Sequence, residues 1–156
     1  LPNLGDSGSI LQVVSAEEML QKAASLFQSA KVIVFAAAVA DYTPVETKTE
    51  KMAKSNDDLV LKLKATPDIA KTLCANKTAQ QVAIGFALQT SDGEMNARRK
   101  LKDKNLNGIV LNTPATLGAP TGTFSFLALK TDQFEPWGCI SKADCATRIC
   151  QTLESL

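Results

Sequence analysis

The sequence predicts one α/β domain over residues 1–156, with a mainly parallel sheet and helices on both faces. Two observations predict it. Apolar strand-like runs alternate along the chain with segments of helical periodicity. Three of those runs, KVIVFAA, QVAIGFAL and NGIVLN, are almost unbroken, as strands covered on both faces are. No repeat of about 20–50 residues and no low-complexity block competes with this reading.

The opening LPNLGDSGS is rich in Pro, Gly, Ser and Asn and reads as a loop. ILQVV reads as a short strand. SAEEMLQKAASLFQSA then starts with a capping box, Ser15 to Glu18, and sets Met19, Leu20, Ala23, Leu26 and Phe27 on one helical face. KVIVFAA follows as a central strand. After a lysine-rich loop, DLVLKLK alternates apolar and polar residues and reads as half-exposed. TPDIAKTLCANK is a helix with Thr66 as its cap and Pro67 at the first helical position. QVAIGFAL is a buried strand, and Ser91 with Glu94 opens the basic helix DGEMNARRKLKDKNL. NGIVLN is a core strand, GTFSFLALK a later one at a possible sheet edge, and Ser141 with Asp144 starts the last helix, which runs to about Leu153.

Composition excludes several function classes. The chain is 45% hydrophobic and 21% charged, an ordinary globular balance, and its net charge of +1 makes no global case for nucleic acid. No apolar run approaches the roughly 20 residues of a membrane span, and no secretory signal opens the sequence, so a cytoplasmic protein with no membrane partner is expected. There is no histidine, which excludes Ser-His-Asp, Cys-His and histidine-base chemistry within the chain. Cys74, Cys139, Cys145 and Cys150 form no CxxC pair, so they read as reduced packing cysteines rather than zinc ligands. The glycine-rich phosphate loops GxGxxG and GxxxxGK[ST] are both absent, which weakens a dinucleotide-dehydrogenase or P-loop reading.

Ligands of open α/β sheets bind beyond the carboxyl ends of the strands. Here those ends read AAAVADY, GFALQT and NTPAT, small or polar stretches that leave room for a ligand. Asp41 suits a sugar hydroxyl or a metal, or it starts a turn. Phe86 stacks on a base, or packs in the core. Lys48, Lys51 and Lys54 form a solvated run, or a flap whose ammonium groups close over phosphates. Lys100 and Lys104 lie four apart on one helical face, either solvated or gripping separate phosphates. Pro67 has no N–H, so backbone donors at the TPDI turn start at Asp68, whose carboxylate serves the helix dipole or a ligand.

Four ordered motifs, AAAVADY, KMAKSNDDLVLKLKATPDI, GFALQT and ARRKLKDKNLNGIVLN, resemble phosphopantothenoylcysteine synthetase, and SKADCATRICQTL is similar to that family's last helix. The resemblance implies a Rossmann-like, dimeric ligase of coenzyme A biosynthesis that bacteria usually fuse to a flavin-dependent decarboxylase. It implies 4'-phosphopantothenate and cysteine as substrates, with CTP in the bacterial type or ATP in the eukaryotic type, and Mg²⁺. EKMAKS looks bacterial, so CTP is the expected nucleotide. By resemblance Asp41 matches the acid of the nucleotide pocket, and Lys51 the first lysine of a KxKK flap that stabilises charge on the α-phosphate. Pro67, Asp68, Ile69 and Ala70 match the nucleotide-contacting helix start, Phe86 the pocket aromatic, and Lys100 and Lys104 the paired lysines on nucleotide or phosphate. The metal ligands are not identified.

The pattern departs from the family at Ala53, at Gln89 and at Thr113, and its GFGSD stretch is not visible in NTPATLGAPTGTFSF. The resemblance implies the C-terminal portion of such a domain, with no flavin site and any decarboxylase domain elsewhere. Two further readings are a nucleotide-binding module that does not turn over, and an unrelated Rossmann-like oxidoreductase.

Overall fold

The computed structural model describes residues 8–47, 50–54, 58–88 and 92–156. Its centre is a five-stranded sheet of β1 (Val32–Phe35), β4 (Val82–Leu88), β5 (Gly108–Asn112), β6 (Thr121–Ala128) and β7 (Phe134–Ser141), in that spatial order. β1, β4 and β5 are parallel, and β6 and β7 extend the sheet antiparallel. A separate antiparallel ribbon joins β2 (Tyr42–Pro44) to β3 (Leu63–Ala65). The helices are α1 (Ala16–Phe27), α2 (Ile69–Cys74), α3 (Gly93–Asp103) and α4 (Lys142–Thr152).

Strand parity sorts the side chains into two cores. On one face Ala83, Ala87, Ile109, Leu111 and Leu127 meet Phe27 of α1, Ile69 and Leu73 of α2, and Ala97 and Leu101 of α3. On the other, Ile84, Val110, Phe124, Phe126 and Trp137 meet Cys145 and Ile149 of α4. The Phe126 and Trp137 rings stack with centroids 5.3 Å apart and planes 6° from parallel. Helices thus cover both faces of a Rossmann-like α/β sheet, as the alternating pattern predicts.

Local chemistry explains where elements begin. Ser15 Oγ accepts the Glu18 N–H at 3.1 Å, while the Glu18 carboxylate reaches back to the Val14 N–H at 2.8 Å, so the expected box closes one residue further out. At α4, Ser141 Oγ accepts the Asp144 N–H at 3.0 Å, as expected. The buried thiols of Cys74 and Cys145 fill the two cores, and burial pushes both above the usual thiol range. Cys139 and Cys150 are exposed and do not pack.

Several expectations are corrected. ILQVV is not a strand: Val14 is 99% exposed, and the run pairs with no strand among the described residues. Among the described residues β1 is an edge strand, paired only with β4, and Val32 and Val34 are 41% and 43% exposed. A continuous apolar run signals covered faces only when a second layer is present over each of them. DLVLKLK contributes strand only from Leu63, within the ribbon rather than the sheet. The α2 cap is Asp68, whose Oδ1 accepts the Lys71 N–H at 3.1 Å; the Thr66 hydroxyl instead bonds the Ala40 carbonyl. α3 follows Asp92, which has φ 61° and makes no side-chain cap bond, while the expected cap Ser91 lies outside the described residues. β6 is interior; the edge is β7, a strand the sequence pattern did not reveal. Pro136 and the Gly138 bend (φ +77°) break its alternation.

Candidate functional site

Three strand ends and three helices, α1, α2 and α3, converge on one cleft of about 1080 Å³. Small side chains open it. Ala36, Ala37 and Ala38 follow β1 directly and line the floor, where larger residues would fill the space. Gly85 of β4 lies so close to Leu106 that a Cβ would sit 2.7 Å from Leu106 Cδ1. The cleft wraps around the end and edge of β1, since both Ile33 and Val34, on opposite faces of that strand, line it.

Eight of the nine residues expected at the site line this cleft: Asp41, Pro67, Asp68, Ile69, Ala70, Phe86, Lys100 and Lys104. Asp41 is exposed at the end of the β1 segment, where its carbonyl accepts the Thr66 N–H at 2.9 Å and ties that loop to the approach to α2. Phe86 is half-buried: it packs against the Ile84–Val110 core and also lines the cleft. Lys100 and Lys104 face the cleft together, as their spacing predicts. Lys51 stands apart, exposed and outside the cleft lining, as does Lys54. Lys48 and Gln89 lie outside the described residues. Lys51 and Lys54 lie in the chain between the two ribbon strands β2 and β3.

The electrostatics are unsymmetrical. Lys104 Nζ lies 3.0 Å from Asp68 Oδ2. Burial alone would raise the Asp68 carboxyl, but the Lys71 N–H and the Lys104 ammonium outweigh it and hold the group below the usual carboxylate range. Asp68 is therefore an occupied carboxylate, engaged at both oxygens. That bears on magnesium. Among the described residues no group of three or more acidic, Cys or His side chains could hold a metal, and the only acids lining the cleft are Asp41 and the engaged Asp68. These residues do not fit a resident magnesium ion.

Sequence reasoning missed part of the wall. Met19, Ala23 and Phe27 of α1, Leu106, and Leu117 also line the cleft. The α1 residues carried a signal, their shared helical face, but that stripe announces packing and does not say which part of it stays open. Leu117 gave none.

The family model of the DNA/pantothenate metabolism flavoprotein C-terminal domain matches residues 5–156. A Bacillus subtilis (strain 168) coenzyme A biosynthesis bifunctional protein CoaBC is 34% identical over 149 residues, 94% of this chain and 36% of that protein. A cysteine/cysteine sulfinic acid decarboxylase from an unidentified prokaryote is 40% identical over 114 residues, 73% of this chain and 32% of that protein. The chain thus spans about a third of the length of these relatives. Among solved structures, the C-terminal domain of a CoaBC protein overlays with a TM-score of 0.75 at 30% identity, covering 93% of this chain and 64% of that one. A DNA/pantothenate metabolism flavoprotein from Streptococcus pneumoniae shares the fold at the same TM-score and 22% identity, covering 94% and 72%. Ordered motifs, matched family model and shared fold agree: the chain belongs to the family of the DNA/pantothenate metabolism flavoprotein C-terminal domain, and it resembles the phosphopantothenoylcysteine synthetase domain of CoaBC.

Proposed function

We infer that this chain is the nucleotide-binding part of a ligase of coenzyme A biosynthesis, joining 4'-phosphopantothenate to cysteine with CTP. The observation that carries the reading is the gathering of Asp41, residues 67–70, Phe86, Lys100 and Lys104 around one cleft at the strand ends. Family membership supports it, as does the fold shared with a Cab2 variant solved with phosphopantothenate-cysteine (TM-score 0.68).

The chemistry asks for such a place. A carboxylate oxygen of 4'-phosphopantothenate attacks the α-phosphorus of CTP, the bond to the β-phosphate breaks, and pyrophosphate leaves. The cysteine amine then attacks the activated acyl carbon, CMP departs, and an amide remains after loss of a proton. Several anionic groups must be crowded together in the first step, so cations aimed at the developing charge lower its barrier. In this reading Lys100 and Lys104 hold phosphate oxygens, Phe86 borders the base, Asp41 accepts from the sugar or faces the nucleotide-borne metal, and magnesium enters as part of the substrate. Lys51 reaches the α-phosphate only when the ribbon segment folds over the cleft. The working protein is a cytoplasmic homodimer, with the decarboxylase chemistry on another domain.

Pyrophosphate release in the presence of CTP, 4'-phosphopantothenate and cysteine is the test, with ATP in parallel. Release with CTP and not ATP is expected. CTP binding without release would assign the chain to a binding module, and preference for NADH over CTP would overturn the ligase reading. Lys51→Gln should leave the fold intact, because an exposed lysine buries little, yet slow single-turnover release by about a hundredfold or more. An unchanged rate refutes the role of Lys51.

A further inference from the structure

The end of α3 is tied to α2 at two points, and they differ in kind. At the α2 C-terminus, Asn105 Nδ2 donates to the Cys74 carbonyl at 2.8 Å; Asn105 sits in the turn after α3 with φ 52°. At the α2 N-terminus, the tie among the described residues is the ion pair of Lys104 with Asp68, whose side chains are 28% and 41% exposed. The first is a hydrogen bond to backbone next to the core, and it fixes the two helices relative to each other. The second can open without moving either helix. An ion pair this accessible holds weakly, and a phosphate carrying more than one charge competes well against a carboxylate carrying one.

Both partners of this weak tie line the cleft, and Lys100 lies one turn earlier on the same face. The Asp68 carboxylate meanwhile keeps its other oxygen on the Lys71 N–H, so it stays in place when the ammonium leaves. We propose that Asp68 is a positioning residue that keeps the Lys104 ammonium inside the empty cleft and yields it to an incoming polyphosphate by exchange. The site then pre-orders its cation with an internal counterion, at some cost in anion affinity. This rests on the nucleotide reading above.

Asparagine separates the two duties of Asp68, since it caps a helix as well as aspartate does but carries no charge. Binding of inorganic triphosphate, without metal, should tighten about fivefold in Asp68→Asn at low salt, and the gain should shrink as salt rises. In a Lys104→Gln background the same substitution should change binding by less than about twofold. No gain in Asp68→Asn, or an equal gain in both backgrounds, overturns the proposal. Labelling of Lys104 by an amine-directed reagent, read by mass spectrometry, needs no ligand. It should run faster in Asp68→Asn than in the parent chain, and an unchanged rate also overturns the proposal. A parent chain that binds neither triphosphate nor CTP, with Lys104 labelling still faster in Asp68→Asn, would sink the nucleotide reading and the exchange while leaving the counterion role of Asp68.

Discussion

At the scale of single residues, two glycines shape the sheet, Gly85 at the cleft and Gly108 against the opposite core, because a larger residue has nowhere to go. A Cβ on Gly85 would meet Leu106 Cδ1 at 2.7 Å, and Leu106 is 1% exposed, enclosed by the core beside the cleft. A Cβ on Gly108 would clash with the Phe126 ring, which is stacked on Trp137. Overpacking of this kind typically costs about 1–3 kcal/mol. Gly85→Ala should therefore lower unfolding free energy by about that amount in chemical denaturation, and a loss below about 0.5 kcal/mol would show that Leu106 gives way freely. Both glycines stood inside apolar runs in the sequence, where a glycine signals close approach but does not name what approaches.

At the scale of elements, the caps test how local chemistry sets boundaries. Ser141 closes α4 by accepting the Asp144 N–H, and its hydroxyl also donates to Asp144 Oδ2 at 2.7 Å. Ser141→Ala should cost about 1 kcal/mol, seen as a lower denaturation midpoint with unchanged slope. A midpoint matching the parent chain would mean that β7 packing alone holds α4 in place. α3 is anchored differently. Arg98 bonds the Asp132 carbonyl at 3.1 Å, lies 3.2 Å from its carboxylate, and covers the Phe134 ring at 4.9 Å. The helix is thereby fastened to the β6–β7 turn, and its basic surface divides into a docking side and the cleft side of Lys100 and Lys104.

At the scale of the whole molecule, two carboxylates link stability to acidity. Glu18 is held below the usual range chiefly by the Val14 N–H, and Asp68 by the Lys71 N–H and Lys104 acting against its burial. A carboxylate with a depressed folded value contributes stability that is complete above its unfolded value and is lost as pH falls through the folded one. The denaturation midpoint should hold steady from neutral pH down to about 5 and drop below about 4, with a shallower drop in Asp68→Asn. A variant profile superimposable on that of the parent chain would contradict this share for Asp68.

What the sequence by itself determined was local and periodic: the alternation of helix and strand, the caps at Ser15 and Ser141, the parallel core strands, and the shared face of Lys100 and Lys104. The ordered motifs added the family and a set of candidate residues. The tertiary structure decided everything that depends on which surface meets which. Only the sheet order makes β1 an edge and β6 interior, and only the packing of α1 and Leu117 closes the far wall of the cleft. Only the approach of α3 to α2 brings Lys104 to Asp68, across an interval of 36 residues that no period of helix or strand can span. Periodicity records the faces of an element, whereas contact between elements is set by the core that forms among them.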